Sequence, residues 1–194
     1  MFSTTFKLEI IAVFLAVLYL VLAVKQNILC WLAAILSSFL YFFIMYSAGL
    51  YMEAYLQIFY IVMGFYGWSQ WKSNESKFIV RSWNKLNHFK AISLILVLSL
   101  SSGFVLEEYT DAALPFFDAL TTWGAVVATY MVAKKLIENW IYWFVIDFIS
   151  IFLFLSRDLN LTALLFAGYL VIIYFGYRSW NREKLKIKKR APIQ

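Results

Sequence analysis

Seven apolar windows, each near the length that crosses a bilayer, follow one another along this 194-residue chain with few charges inside them. A helix rising 1.5 Å per residue needs about 20 apolar residues to span a hydrocarbon core of about 30 Å. Windows of that kind fall at residues 8 to 24, 28 to 46, 50 to 71, 90 to 106, 113 to 133, 138 to 155 and 160 to 180. With 63% hydrophobic residues and only 14% charged ones, the chain has too little polar surface to clothe a soluble core and must use lipid as a solvent. The expected fold class is an all-α membrane protein of seven transmembrane helices. The first window reads as a span and not as a cleavable signal. Glu9 interrupts its start, no A-x-A-like site closes it, and the next apolar run begins at once.

An odd number of spans puts the termini on opposite sides, and the basic residues then sort sharply. Of the 17 Lys and Arg, only Lys7 and Arg157 fall on the N-terminal side. Lys25, the group from Lys72 to Lys90, the pair Lys134 and Lys135, and the tail from Arg178 to Arg190 share the other. Basic residues collect on the cytoplasmic side of membrane proteins, so the C-terminus is expected inside and the N-terminus outside. A six-span or eight-span reading would erase this asymmetry. Glu107, Glu108 and Asp111 then form an acidic outer loop. The net charge of +6 reports topology and not a nucleic-acid partner, and the stretch from Arg182 to Arg190 suits anionic lipid headgroups.

Shifting the chain by 109 residues lays its first three spans on its last three without a gap. Lys25, Ile28, Trp31, Phe39, Phe43, Ser47, Leu50, Ala54, Leu56, Tyr60, Val62, Gly67 and Trp71 all meet identical residues, 13 identities over the 47 positions from Lys25 to Trp71. The same register sets Glu9 against Asp118, two acids near the start of their spans that suit helix N-termini. Three spans reverse the direction of the chain, so the fourth must bring it back for the triplets to run the same way. The architecture expected is 3+1+3 with parallel repeats. Its boundaries are a first three-helix repeat at 1–75, a connecting segment with the fourth helix at 76–112, a second repeat at 113–184 and a basic cytoplasmic tail at 185–194. Transporters are often built from such repeats, with solute held near the midplane and exposed alternately to either side.

Aromatics make up 21% of the chain, including 8 Trp, more than two interfacial belts need, so some are expected to line a site that stacks flat rings. The sharpest constellation is W-x-x-W-x-x-x-D in the sixth span: Trp140, Trp143 and Asp147. Spacings of three, four and seven put all three on one helical face. A carboxylate that deep is expensive and usually faces a cavity or a partner. Two indoles beside it suit an aromatic, cationic or hydrogen-bond-donating solute. In the first triplet the same positions hold Trp31, Ala34 and Ser38, so the repeat departs from symmetry where chemistry is expected. Gln57 in the third span can meet a heterocycle or a neighbouring helix, and Tyr60 follows on its face.

The chain holds one cysteine, Cys30, which excludes an intrachain disulfide and a cysteine metal cluster, and its one histidine, His88, sits in a basic polar stretch, which leaves no Ser/His/Asp or Cys/His constellation and no histidine-rich metal site. No GxxxxGK[ST] segment is present. Neither a metal nor a cofactor is expected, and the chain is read as no enzyme. A lipid-acting membrane enzyme would need clustered acids where these are scattered, and a ligand-binding receptor would not need the parallel repeat.

At these residues the chain resembles the PnuC family of bacterial vitamin transporters. The motifs that carry the resemblance are E-N-W-I-Y-W-F-V-I-D (Glu138 to Asp147), P-F-F-D (Pro115 to Asp118), L-Q-I-F-Y (Leu56 to Tyr60) and Y-G-W-S-Q-W (Tyr66 to Trp71), spread over nearly the whole chain. The resemblance implies a SWEET-like fold in a bacterial inner membrane. It implies facilitated uptake of nicotinamide riboside, thiamine or riboflavin, made one-way by a cytoplasmic kinase that phosphorylates the solute. It implies that Trp140, Trp143, Asp147 and Gln57 bind the solute; Tyr60, on the face of Gln57, and Ser38, at the repeat position of Asp147, are further candidates from the sequence itself. Riboside carriers in this family resemble the chain with Asn at the position of Asp147 and near Ser37, whereas an acid in a short chain resembles the thiamine-carrying branch. Thiamine is accordingly the expected solute, with nicotinamide riboside the alternative. The oligomeric state stays open, a homo-oligomer included.

Overall fold

The computed structural model describes residues 4–47, 51–73, 79–110, 114–156 and 160–190. Lys77, Asp111 and Arg157, and the expected boundaries at 75/76 and 112/113, lie outside the described residues. Seven helices occupy what is described: α1 (Thr4–Val24), α2 (Leu29–Ser47), α3 (Tyr51–Ser73), α4 (Lys85–Tyr109), α5 (Pro115–Ala133), α6 (Asn139–Leu155) and α7 (Asn160–Arg190). The apolar windows and the helices agree within a few residues except at two ends. Asn84 caps α4 by accepting the Asn87 N–H on its Oδ1 at 2.8 Å, so that helix starts at Lys85, before its apolar stretch. Helix α7 runs to Arg190, well past its apolar part, because a charged sequence holds helix in water as readily as an apolar one does in lipid.

Lys85–Tyr109, Pro115–Ala133 and Ala163–Lys186 are long and apolar enough to cross a membrane, and Leu8–Val24, Leu29–Ile44 and Asn139–Leu153 are shorter apolar helices. Helix α3 is more polar, since Gln57, Ser69 and Gln70 interrupt it. Apolar side chains such as Phe39 and Phe43 on α2, Val97 and Phe104 on α4 and Phe148 and Phe152 on α6 lie exposed, as a lipid solvent demands.

The chain divides into two units, Met1–Phe78 and Ile79–Gln194. In the first, α2 packs against both α1 and α3; in the second, α4, α5, α6 and α7 pack each on the next. Small residues let the helices close up in the second unit: Ala119, Gly124, Ala125, Ala128 and Ala133 are buried along α5.

Within each unit the first two helices of the triplet are joined by the same turn, 109 residues apart. Asn27 N–H donates to Leu22 O and Gln26 N–H to Ala23 O; Leu136 N–H donates to Met131 O and Lys135 N–H to Val132 O. These are the paired bonds of a Schellman C-cap, whose left-handed position falls on Gln26 at φ 54° and on Lys135 at φ 51°. Glycine usually fills that position, yet neither copy has one.

A second feature also recurs in both units. The Trp31 ring lies over Gly67 and meets Trp71 edge to face, with centroids 5.5 Å apart at 87°. The Trp140 ring lies over Gly176 and meets Trp180 at 5.5 Å and 88°. A Cβ on either glycine would collide with the indole above it, so only glycine allows the approach.

Candidate functional site

Helix α6 carries three of the candidate residues, Trp140, Trp143 and Asp147. Its outward stripe, Ile141, Phe144, Val145, Phe148 and Phe152, is apolar and exposed. Its opposite stripe is Trp140, Trp143, Asp147 and Ser150, at spacings that bring all four onto one face.

Trp140 is 2% exposed and is held by Trp180 and Gly176; its indole N–H has no hydrogen-bond partner among the described residues. Trp31, at the equivalent position of the first unit, is 1% exposed with an equally unpartnered N–H. Two tryptophans in the same clasp, one with an acid seven residues on and one with Ser38, mark the clasp as part of the scaffold. Trp143 is half-buried, which leaves part of its ring available.

Asp147 is 4% exposed and makes no hydrogen bond or ion pair among the described residues. Burying a polar group without a partner is costly, and the cost grows for a charge, so such a group in a membrane segment points to a ligand. Ser150 is buried one turn further along the same face, also without a hydrogen bond among the described residues. The sequence reading passed over Ser150, although its i+3 spacing from Asp147 was legible. The buried hydroxyls of α5 are satisfied within their own helix: Thr129 Oγ1 donates to Ala125 O at 2.7 Å, and Thr121 Oγ1 lies 3.1 Å from Phe117 O and 3.0 Å from Asp118 O.

The remaining candidates belong to the first unit. Ser38 is buried on α2 beside Ser37, whose hydroxyl donates to Ala12 O at 2.9 Å. Gln57 and Tyr60 are half-buried on α3, one turn apart, with the Tyr60 ring tilted against Phe59 at 5.8 Å. Ser38, Gln57 and Tyr60 thus fall in one unit and Trp140, Trp143 and Asp147 in the other. Among the described residues, no cluster of three or more His, Cys, Asp or Glu could hold a metal ion.

Comparison with known proteins places this arrangement. The family model described as nicotinamide mononucleotide transporter matches residues 7–182. The nicotinamide riboside transporter PnuC of Escherichia coli strain K12 is 24% identical, over 95% of this chain and 89% of its own. The riboflavin/roseoflavin transporter RibM of Streptomyces davaonensis is 23% identical, over 92% of this chain and 88% of its own. In three dimensions the chain is similar to the crystal structure of the vitamin B3 transporter PnuC, with a TM-score of 0.73 at 22% identity, covering 90% of this chain and 80% of that one. That likeness concerns the fold. With a family match across nearly its whole length and apolar helices to cross the bilayer, the chain belongs to the nicotinamide mononucleotide transporter, or PnuC, family of multi-pass inner-membrane transporters, and it is no enzyme.

Proposed function

We propose that this protein takes up a cationic, aromatic B-vitamin by facilitated diffusion, with thiamine as its solute. The observation that carries the reading is Asp147, a buried carboxyl with no partner among the described residues, one turn from a half-buried indole. A carboxylate in a membrane segment offsets the positive charge of a heterocycle, and Trp143 offers a flat face to stack on it. Trp140 backs Trp143 as part of the wall, and Ser150 supplies a hydroxyl along the same stripe. Ser38, Gln57 and Tyr60 are the proposed solute contacts of the first unit. The acid favours a cation over a neutral flavin; thiamine and nicotinamide riboside are both cations, and the acid at 147 in a short chain favours thiamine by resemblance.

Access alternates between the two sides of the membrane, with the N-terminus outside and the basic C-terminus in the cytoplasm. A cytoplasmic kinase makes uptake one-way, since a phosphate group would be repelled by Asp147 on any return. The test is calorimetric titration of thiamine, nicotinamide riboside and riboflavin into the purified, detergent-solubilised protein, followed by uptake into vesicles without ATP. Binding and uptake of thiamine alone are expected. Preference for the riboside would change the solute and keep the mechanism, whereas binding of none would end the vitamin reading.

A further inference from the structure

The end of the second unit where α4 begins holds an aromatic cluster that uptake leaves without a role. The segment before α4 is joined to the α5–α6 connection by a short parallel bridge, in which Arg81 N–H donates to Lys135 O and Ile137 N–H to Arg81 O, both at 3.0 Å. Two residues on, Trp83 N–H donates to Glu138 Oε2 at 3.4 Å. The Trp83 indole meets the His88 ring edge-on, with centroids 5.6 Å apart, and His88 stacks in turn on Tyr142 at 5.9 Å and 29°. His88 Nδ1 and the Tyr142 hydroxyl are hydrogen-bonded at 3.0 Å. Along their lengths α4 and α6 each pack on α5; at this end side chains link them directly.

Glu138 and Tyr142 bracket the first turn of α6, Trp143 is the next residue, and Asp147 stands one turn further. Trp143 and Asp147 share a face by helical period, so a modest rotation of α6 about its axis would turn that whole face, and both side chains with it, away from its present direction. His88 is presented from a capped helix end, which gives the hold a rigid base.

We propose that His88, acting through Tyr142 and backed by the Trp83 ring, is a positioning residue that sets the rotation of α6 and so the aim of Trp143 and Asp147. The functional consequence rests on the uptake reading above; the structural one rests on geometry alone.

Two readouts separate these. In full-length protein labelled with 5-fluorotryptophan, the Trp143 resonance is assigned with Trp143→Phe. His88→Leu and Tyr142→Phe should displace it, while His88→Asn, whose amide nitrogen reaches the place of Nδ1, should leave it near the wild-type position. In vesicle uptake of whichever of thiamine and nicotinamide riboside the wild type carries, His88→Leu should raise KM about fivefold, the worth of one hydrogen bond. The maximal rate should stay within about twofold, and His88→Asn should restore KM. An unmoved Trp143 resonance in folded His88→Leu protein overturns the assignment, and so does a fall in stability and maximal rate with KM unchanged. If neither vitamin is carried, the uptake reading fails while the Trp143 resonance still decides the role of His88.

Discussion

The two triplets of this chain share a scaffold and differ in chemistry. Trp31, Gly67 and Trp71 repeat as Trp140, Gly176 and Trp180 with the same ring geometry, and the left-handed turn at Gln26 repeats at Lys135. Where the first unit has Cys30, Ala34 and Ser38, the second has Asn139, Trp143 and Asp147. Each difference adds a polar or stacking group to the second unit, and each lies on the helix that begins beside the clasped tryptophan. Identity between repeats therefore marks what holds helices together, and on the proposed reading the divergence at Trp143 and Asp147 marks where a solute would be recognised.

Removing the group that most separates the units should have the largest effect. Asp147→Ala is expected to weaken solute binding about a hundredfold in calorimetric titration, the order expected when a desolvated charge loses its counter-charge. Its first-unit counterpart, Ser38→Ala, should change affinity by no more than about threefold. Equal losses would mean that the two units share recognition evenly.

The shared clasp should respond alike in both copies and in stability rather than affinity. Gly67→Ala and Gly176→Ala each force an indole out of place, and each should lower stability by about 2 kcal/mol in SDS-induced unfolding from mixed micelles. A large loss from one and none from the other would break the equivalence of the units.

Trp143→Ala tests the half-buried indole that the first unit lacks. It should weaken binding about tenfold, as loss of one ring-stacking contact does, with unfolding shifted by less than about 1 kcal/mol. A stability loss with affinity intact would reassign Trp143 to packing.

The smallest expected effect lies in the turns. Gln26→Gly and Lys135→Gly relieve a side chain held at positive φ, and each should stabilise its unit by about 1 kcal/mol in the same unfolding assay. Uptake should be unchanged.

Much of the fold was legible because lipid imposes a length on every apolar run, and much of the repeat because identical residues recur in one register. Hydropathy reports where the membrane is and not where a helix stops. The sequence windows therefore missed the early start of α4 at its Asn84 cap and the continuation of α7 to Arg190. In the site, the shared face of Trp140, Trp143 and Asp147 follows from helical spacing alone, but their difference in exposure does not. The repeat held a hint of it, since Trp140 has a twin where no acid follows.

By itself the sequence determined the all-helical membrane class, the internal register of 109 residues and the face on which Asp147 lies, because bilayer thickness and helical period act on local sequence. Only the tertiary structure decided that Trp140 is closed off by Gly176 and Trp180, that Asp147 and Ser150 lack partners among the described residues, and that His88 reaches Tyr142. Those facts depend on which residues, distant along the chain, are brought within a few ångströms of one another, and no spacing within a single helix encodes that.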